Sequence, residues 1–344
     1  MTHPVKVLVD RFSDLIIDVK NIENAHFSSI DSAVNCHADS LVFIDDKSHI
    51  PRNDPGVVVT RPDIAKELGE KSFCIIVSNN VRLAQAKVKQ VYQDYDSVDS
   101  EWPDIHESAV VHASAQLGTS VRIGPNVVIG ANAVIGEGTQ IRANSVIEHD
   151  VNIGTQCIIN SHVNIGYGCV LGDRVNIHSG TIIGNEGFGF AQDDSRKYHR
   201  IPHTGWVELH DDVQVGANSN IDRGTYGATI LGKGVKLDSL CHIAHNVHID
   251  EGTVLASQAC VAGSTYIGKR VTASGQVGIL DHLKIADDVI LVHRSGVTDN
   301  IENSGMYGGV PAKPFKEHVR TLRASKRIDK LSEQVKELKK NLLG

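Results

Sequence analysis

His245, Gly263 and His282 are the residues of this chain whose types and spacing could do chemistry together. Gly263 follows His245 by 18 residues, and position 281, a further 18 on, has His282 as its neighbour. A histidine, with an unperturbed pKa of about 6.5, titrates near operating pH and suits general-base work. A glycine beside it can bring a bare backbone N–H close to a developing oxyanion. Taken singly, any of the 18 histidines reads as a solvated surface side chain. Only a fold that stacks residues 18 apart makes these three a site.

Such a fold is written along most of the chain. An aliphatic residue recurs every six positions at Val111, Leu117, Ile123, Ile129, Ile135, Ile141, Ile147, Ile153, Ile159, Ile165, Leu171, Ile177 and Ile183. Two before each rung stands a small or β-branched side chain, such as Val121, Ala133, Thr139 or Ser145, and glycine often follows it, as at Gly124 and Gly130. The ladder resumes at Leu209, Val215 and Ile221, jumps ten residues to Leu231, and runs on to Val297. Neither a 3.6-residue helix nor an alternating strand has this period, whereas a hexapeptide solenoid does. Three hexads close one triangular coil of about 4.8 Å rise. His245 therefore lies beneath Gly263, with His282 two coils up.

Length and composition bound the rest. A chain of 344 residues has room for a long solenoid with flanking modules, and 5% aromatics suits a core of Ile, Val and Leu. No stretch reaches the roughly 18 apolar residues of a membrane span. The segment Met1 to Phe12 lacks an apolar leader core, so the expected location is the cytoplasm. Net charge of −7 argues against non-specific nucleic-acid binding. The six cysteines form no C-x-x-C pair. Cys157, Cys169 and Cys241 fall on the small inward position, which explains them as packing.

In chain order, residues 1–100 lack the ladder and read as a small α/β domain. Val5–Val9, Leu15–Val19, Ser40–Ile44, Gly56–Thr60 and Cys74–Val77 are predicted strands, Asn80–Tyr95 a helix, and Asp94–Glu107 a linker. Residues 105–310 form the solenoid. A projecting loop over 185–205 carries Phe188 and Phe190, and projecting loops are where solenoids usually bind ligands. A second interruption, Asp222 to Gly227, adds four residues and should bulge outward too. Residues 313–344 read as C-terminal helices, with Ile328, Leu331, Val335, Leu338 and Leu342 as an apolar stripe. That tail holds ten Lys and Arg against four Asp and Glu, a formal +6, which leaves −13 on the rest. A cationic tail on an anionic body suggests docking of an acidic partner through Arg320, Arg323, Lys326, Arg327 and Lys330. His242, His245 and His248 invite a metal reading, but His242 and His248 fall on successive faces, so no metal site is expected.

Three segments carry a resemblance: Gly187-Phe188-Gly189-Phe190-Ala191, Ile221-Asp222-Arg223-Gly224, and Ile243-Ala244-His245-Asn246-Val247, with Gly308-Gly309-Val310-Pro311-Ala312 later. Together they resemble the UDP-3-O-(3-hydroxyacyl)glucosamine N-acyltransferase family of lipid A biosynthesis, over about 105–344. The fold implied is mainly β: a left-handed parallel β-helix of hexapeptide repeats, with a small N-terminal α/β domain and a C-terminal helical tail.

The resemblance also implies a homotrimer with sites between adjacent prisms, a uridine-binding N-terminal domain, and a tail that receives acyl carrier protein. No cofactor is implied beyond the phosphopantetheine of that carrier. His245 would take a proton from the sugar 2-amino group as it attacks the 3-hydroxyacyl thioester. The Gly263 amide would hold the oxyanion, His282 would support substrate, and Asp238 would orient the site. Phe188, Phe190 and His242 would bind substrate. In the N-terminal domain the family stacks uracil between two aromatics six residues apart. Here Phe43 is present, His49 stands at the second position, and Asp46 replaces the common asparagine. Two alternatives stand beside this reading: acylation or acetylation of another nucleotide sugar, and a non-catalytic trimeric scaffold.

Overall fold

A six-residue period gives one short strand and one corner per repeat, and the strands sort themselves by their hydrogen bonds. The computed structural model describes residues 2–51, 53–69, 71–94 and 102–343. Away from the two insertions the short strands pair in parallel with strands 18 residues away, as Ile123 does with Ile141. The strands collect on three sheets of 11, 10 and 9, the faces of a left-handed parallel β-helix. The ladder begins one rung before Val111, because Ile105 bridges to Ile123. Rungs Ile123, Ile129, Ile135, Ile141 and Ile147 are at most 1% exposed, each contributing about 1.5–3 kcal/mol of burial. At the corners the backbone passes through the left-handed region, at Asn126, Asn132 and Asn144 with φ of 57, 57 and 62°. Asparagine tolerates that region better than most residues.

Both departures from the period fall on one edge of the prism, between the second and third faces. Ile182 pairs with Asn220 across the first, and Asn220 pairs with His242 across the second. The first insertion projects as a hairpin in which Phe190–Gln192 pairs antiparallel with Tyr198–Arg200.

The second projects only at its tip, where Tyr226 is 83% exposed, while its first residues turn inward. Asp222 and Arg223 are only 2% and 3% exposed. Arg223 donates from Nε to Gly184 O (2.8 Å), from Nη1 to Gly205 O (3.1 Å) and from Nη2 to Tyr167 O (3.3 Å). Its Cζ lies 3.6 Å from the centroid of the Tyr167 ring. The physical reason is that the hairpin leaves carbonyls at its two feet outside the regular ladder. A planar five-donor guanidinium turned inward satisfies several at once.

The N-terminal unit, Met1–Asp99, carries a five-stranded sheet in the order Asp18–Lys20, Cys74–Val77, Val57–Thr60, Ser40–Ile44, Ser29–Asp31. The first pair is antiparallel and the others parallel. Helices α1 (Val5–Arg11), α2 (Pro62–Leu68) and α3 (Val81–Tyr92) accompany it. Asn80 caps α3, its side chain accepting from Leu83 N at 3.0 Å.

The strand predicted over Val5–Val9 is helix α1. Its valines favour a strand, but Val5, Leu8 and Phe12 recur at helical spacing and are buried together while Val7 is 53% exposed, so packing overrides propensity. In the Leu15–Val19 segment only Asp18 and Val19 are in a strand. Half of the predicted linker, residues 95–101, lies outside the described residues. Helices α4 (Phe315–Ser325) and α5 (Ile328–Leu343) form the tail. Ile328, Leu331, Val335 and Leu338 stand exposed, and the Leu342 side chain lies outside the described residues. Among the described residues no helix is long and apolar enough to cross a membrane.

Replacing Arg223 by Ala would leave three carbonyls without a donor. The expected cost is about 3 kcal/mol or more, read as a lower urea midpoint for loss of β-helix circular dichroism. Arg223→Lys should recover little, since one ammonium cannot span the three acceptors. An unchanged midpoint would contradict the inward-turned role.

Candidate active site

The edge that carries both insertions also carries His245. His242 pairs with Cys260 and Cys260 with Gly278, which keeps the 18-residue register above the insertions. Between these strands Ser264 N donates to His245 O at 2.9 Å and His282 N to Gly263 O at 3.0 Å. The ladder thus sets the three residues on successive coils of one edge. A Cβ placed on Gly263 would lie 2.6 Å from His245 Cε1 and 2.9 Å from Nε2, so the ring rests directly on the glycine backbone. The Gly263 N–H has no hydrogen-bond partner among the described residues. His282 sits at a left-handed corner, φ 57°, with its side chain largely in solvent.

A second histidine, invisible to the 18-residue arithmetic, packs on the first. His203, 4% exposed, has its ring centroid 4.8 Å from that of His245. Its Nδ1–H donates to Ile201 O at 2.9 Å, and its Nε2 is buried without a partner. Two hairpin glycines make room for it. A Cβ on Gly187 would fall 2.7 Å from the His203 ring and 2.9 Å from His245 Cβ, and one on Gly189 would fall 2.6 Å from His203 Cε1. Burial lowers the His245 pKa below its ordinary value, the His203 ring lowers it further, and Asp222 works against both. His245 is therefore neutral at neutral pH.

His242 lies beside these rings, with Nε2 3.6 Å from Asp222 Oδ2. The buried Asp222 carboxylate accepts from Asn220 Nδ2 at 2.6 Å and Asn185 Nδ2 at 3.3 Å. From His245 a groove of about 600 Å³ runs over Val261, Ala262, Ile279, Leu280 and Val297, with Phe188 at one end and Val310 at the other. Its floor falls in size along the second face through His242, Cys260, Gly278 and Gly296. It ends where Val310 stands over Gly296, whose Cβ would be 3.1 Å from Val310 Cγ1. Chemically this is a neutral base, a free amide donor and an apolar trench in one line.

Comparison with known proteins decides the family. The UDP-3-O-acylglucosamine N-acyltransferase of Methylococcus capsulatus is 45% identical over 310 residues, 89% of this chain and 88% of that one. This chain belongs to the UDP-3-O-acylglucosamine N-acyltransferase family. It is an acyltransferase. The enzyme of that name from Bordetella parapertussis is 45% identical over 136 residues, covering 39% of this chain and 37% of the other. The family described as the GMPPB C-terminal domain matches residues 105–187. An Arabidopsis UDP-N-acetylglucosamine acyltransferase structure aligns with a TM-score of 0.52 at 20% identity, over 60% of this chain and 71% of that one, a likeness of fold alone.

The other residues singled out from the sequence are spread over more than one edge of the prism. Asp238 follows rung Leu237 on the first face and lies at a different edge of the prism from His245. Its carboxylate accepts from Ser239 N (2.7 Å) and Ser257 N (3.1 Å), which makes it a corner tie within this chain. His248 lies on the third face, stacked on Tyr266 at 5.1 Å, and does not meet His242. Phe188 and Phe190 pack edge to face, centroids 5.0 Å apart; both line a neighbouring cavity with Asp222 and His242, and Phe188 also lines the groove.

In the N-terminal unit Phe43 packs half-buried against the Leu41 and Val57 core. Asp46 Oδ1 accepts from Ser48 N at 2.8 Å and Ser48 Oγ at 2.6 Å, and these bonds hold its pKa below the usual carboxylate value. His49 closes the turn that Asp46 caps and is exposed. The docking candidates Arg320, Arg323, Lys326, Arg327 and Lys330 line α4, its end and α5, all exposed.

Two outcomes follow for catalysis. Gly263→Ala should push the His245 ring aside and lower kcat about 10²-fold with the circular dichroism of the β-helix unchanged; full activity would separate the glycine from the base. A base must be unprotonated to act, and the His245 pKa is depressed. The acid limb of kcat/KM should therefore have its midpoint below the ordinary value of about 6.5, and a midpoint above that would assign the limb to another group.

Proposed function

We propose that this enzyme transfers a 3-hydroxyacyl group from acyl carrier protein to the 2-amino group of UDP-3-O-(3-hydroxyacyl)glucosamine, a step of lipid A biosynthesis. The observation that carries the reading is His245 at the head of an apolar groove, resting on a glycine whose N–H is free, in a chain of this family. The amine nitrogen attacks the thioester carbonyl while His245 takes a proton from it. The Gly263 N–H, aimed at no acceptor of its own, stabilises the oxyanion. Collapse breaks the C–S bond, and the phosphopantetheine thiolate takes the proton back from His245. His282 borders the acceptor, and Phe188, Phe190 and His242 flank it.

The groove argues for a long acyl donor over acetyl. Its aliphatic walls gain hydrophobic stabilisation with each methylene covered, about 0.8 kcal/mol per CH₂, and an acetyl group would leave most of it empty. No cofactor is needed beyond the carrier's phosphopantetheine. The acceptor's uridine is assigned to Phe43 and His49 as stacking partners. Asp46 is the point of difference, because its charge sits where a uracil carbonyl would be repelled. The assembly in this reading is a homotrimer in the cytoplasm, with the edge that carries His245 facing a neighbouring prism. The excess positive charge of α4 and α5 suits the acidic carrier.

The test is a matrix of donors and acceptors: 3-hydroxyacyl carrier proteins of several lengths and acetyl-coenzyme A, against UDP-3-O-acylglucosamine and UDP-N-acetylglucosamine, read by product mass. Amide formation on the acylated glucosamine is expected, and turnover of only another pair would overturn the substrate assignment. His245→Ala should lower kcat about 10²-fold or more. Gly278→Leu, which fills the groove floor, should shift the preferred donor to a shorter chain while sparing short-donor kcat; an unmoved preference would place the acyl chain elsewhere.

A further inference from the structure

Asn246 is the one residue that hydrogen-bonds the His245 ring among the described residues, and the sense of that bond decides what the ring can do. Asn246 Nδ2 lies 2.9 Å from His245 Nδ1. Which end of the amide faces the ring is fixed from behind. The Thr225 N–H, which can only donate, lies 2.8 Å from Asn246 Oδ1, and Thr225 Oγ1 accepts from Nδ2 at 3.0 Å. The Asn246 backbone is held as well, its N–H donating to Thr229 Oγ1 at 2.9 Å at a left-handed corner, φ 59°. An amide NH₂ has no lone pair to offer, so Nδ1 must be the acceptor. A neutral imidazole carries one N–H, which therefore sits on Nε2. That nitrogen has no partner among the described residues and is the one left for substrate. At rest it donates a proton where the reaction needs it to take one.

We propose that Asn246 is a positioning residue that holds resting His245 in its Nε2–H tautomer, and that turning its amide is the step that gives Nε2 a lone pair. This rests on the reading of His245 as the base. After the turn Oδ1 faces the ring and accepts from Nδ1–H. One proton leaves Nε2 for solvent and one is taken up at Nδ1, so the ring stays neutral. The latch has a chemical use. With Nε2 protonated the ring cannot draw a proton from water in front of a bound thioester, and the donor is protected from hydrolysis until the acceptor arrives. It also has a handle. Thr225 O accepts from Thr204 N (3.0 Å) and Thr204 Oγ1 (3.2 Å), at the foot of the hairpin whose Phe188 lines the groove.

The experiment is the tautomer itself. Full-length protein carrying ¹⁵N-histidine is examined at about pH 8, above the titration of an ordinary histidine, with the His245 signals assigned by difference from His245→Gln. Two-bond ¹H–¹⁵N correlations should show Nε2 as the protonated nitrogen. In Asn246→Asp the carboxylate accepts from both Thr225 N–H and the ring, so the ring should switch to Nδ1–H. Hydrolysis of an accepted 3-hydroxyacyl carrier protein without acceptor should then rise about tenfold or more. An Nδ1–H tautomer in the unaltered enzyme overturns the proposal, as does an Asp variant with unchanged tautomer and hydrolysis. If that variant does not fold, the unaltered spectrum decides alone. Full transfer activity in His245→Ala would remove the base reading instead, and would leave the tautomer measurement standing.

Discussion

Every feature of the solenoid depends on backbone hydrogen bonds between coils 18 residues apart. Ala244 N donates to Val261 O at 3.0 Å and Ala262 N to Ile279 O at 3.0 Å, and similar bonds repeat down all three faces. Because the pleat alternates, a slip of one residue would turn every rung outward. The Ile, Val and Leu rungs forbid that slip, and the ladder in turn forbids any other position for the corners. The setting of His245 and Gly263 on successive coils of one edge is thus fixed by the core.

What the ladder cannot supply is polar chemistry, since its hexads offer only short corners. The structure obtains it by breaking the period twice on one edge. Each break leaves backbone carbonyls outside the ladder, and buried unpaired carbonyls are destabilising. Arg223 meets that cost by turning inward, and Tyr167 shields its charge. The same inward turn brings the 222–227 loop against Asn246, which touches His245. The four-residue insertion that completes the hydrogen bonding of the hairpin also fixes the orientation of the side chain touching His245.

The legible and illegible parts divide along this line. The fold and the column of His245, Gly263 and His282 could be read because one number, 18, generates both. Where the number fails, sequence reasoning failed with it. His203 lies inside the first break, one histidine among many with no phase to place it. Arg223 and Asp222 lie inside the second, where an insertion of charged and glycine residues suggests an exposed bulge. Only the local match of Ile221-Asp222-Arg223-Gly224 to a known family hinted at a role. Asp238 lies seven residues before His245, one hexad plus one, and so stands at a different edge of the prism. In the N-terminal unit the valines of Val5–Arg11 hid a helix whose buried stripe at Val5, Leu8 and Phe12 is visible only once the sheet it covers is known.

The electrostatics of His245 follow from the same packing. Burial is the largest cause of its lowered pKa, and the apolar groove wall provides part of that burial. An apolar groove beside an imidazole thus favours its uncharged form. The neighbouring His203 ring adds to the effect and the Asp222 carboxylate opposes it, so the ring is held neutral without being made inert. A neutral imidazole still has two forms, and burial does not choose between them. That choice falls to directional bonds, and among the described residues the only such bond on the ring comes from Asn246. Desolvation fixes the charge of the base, while one amide fixes where its proton sits.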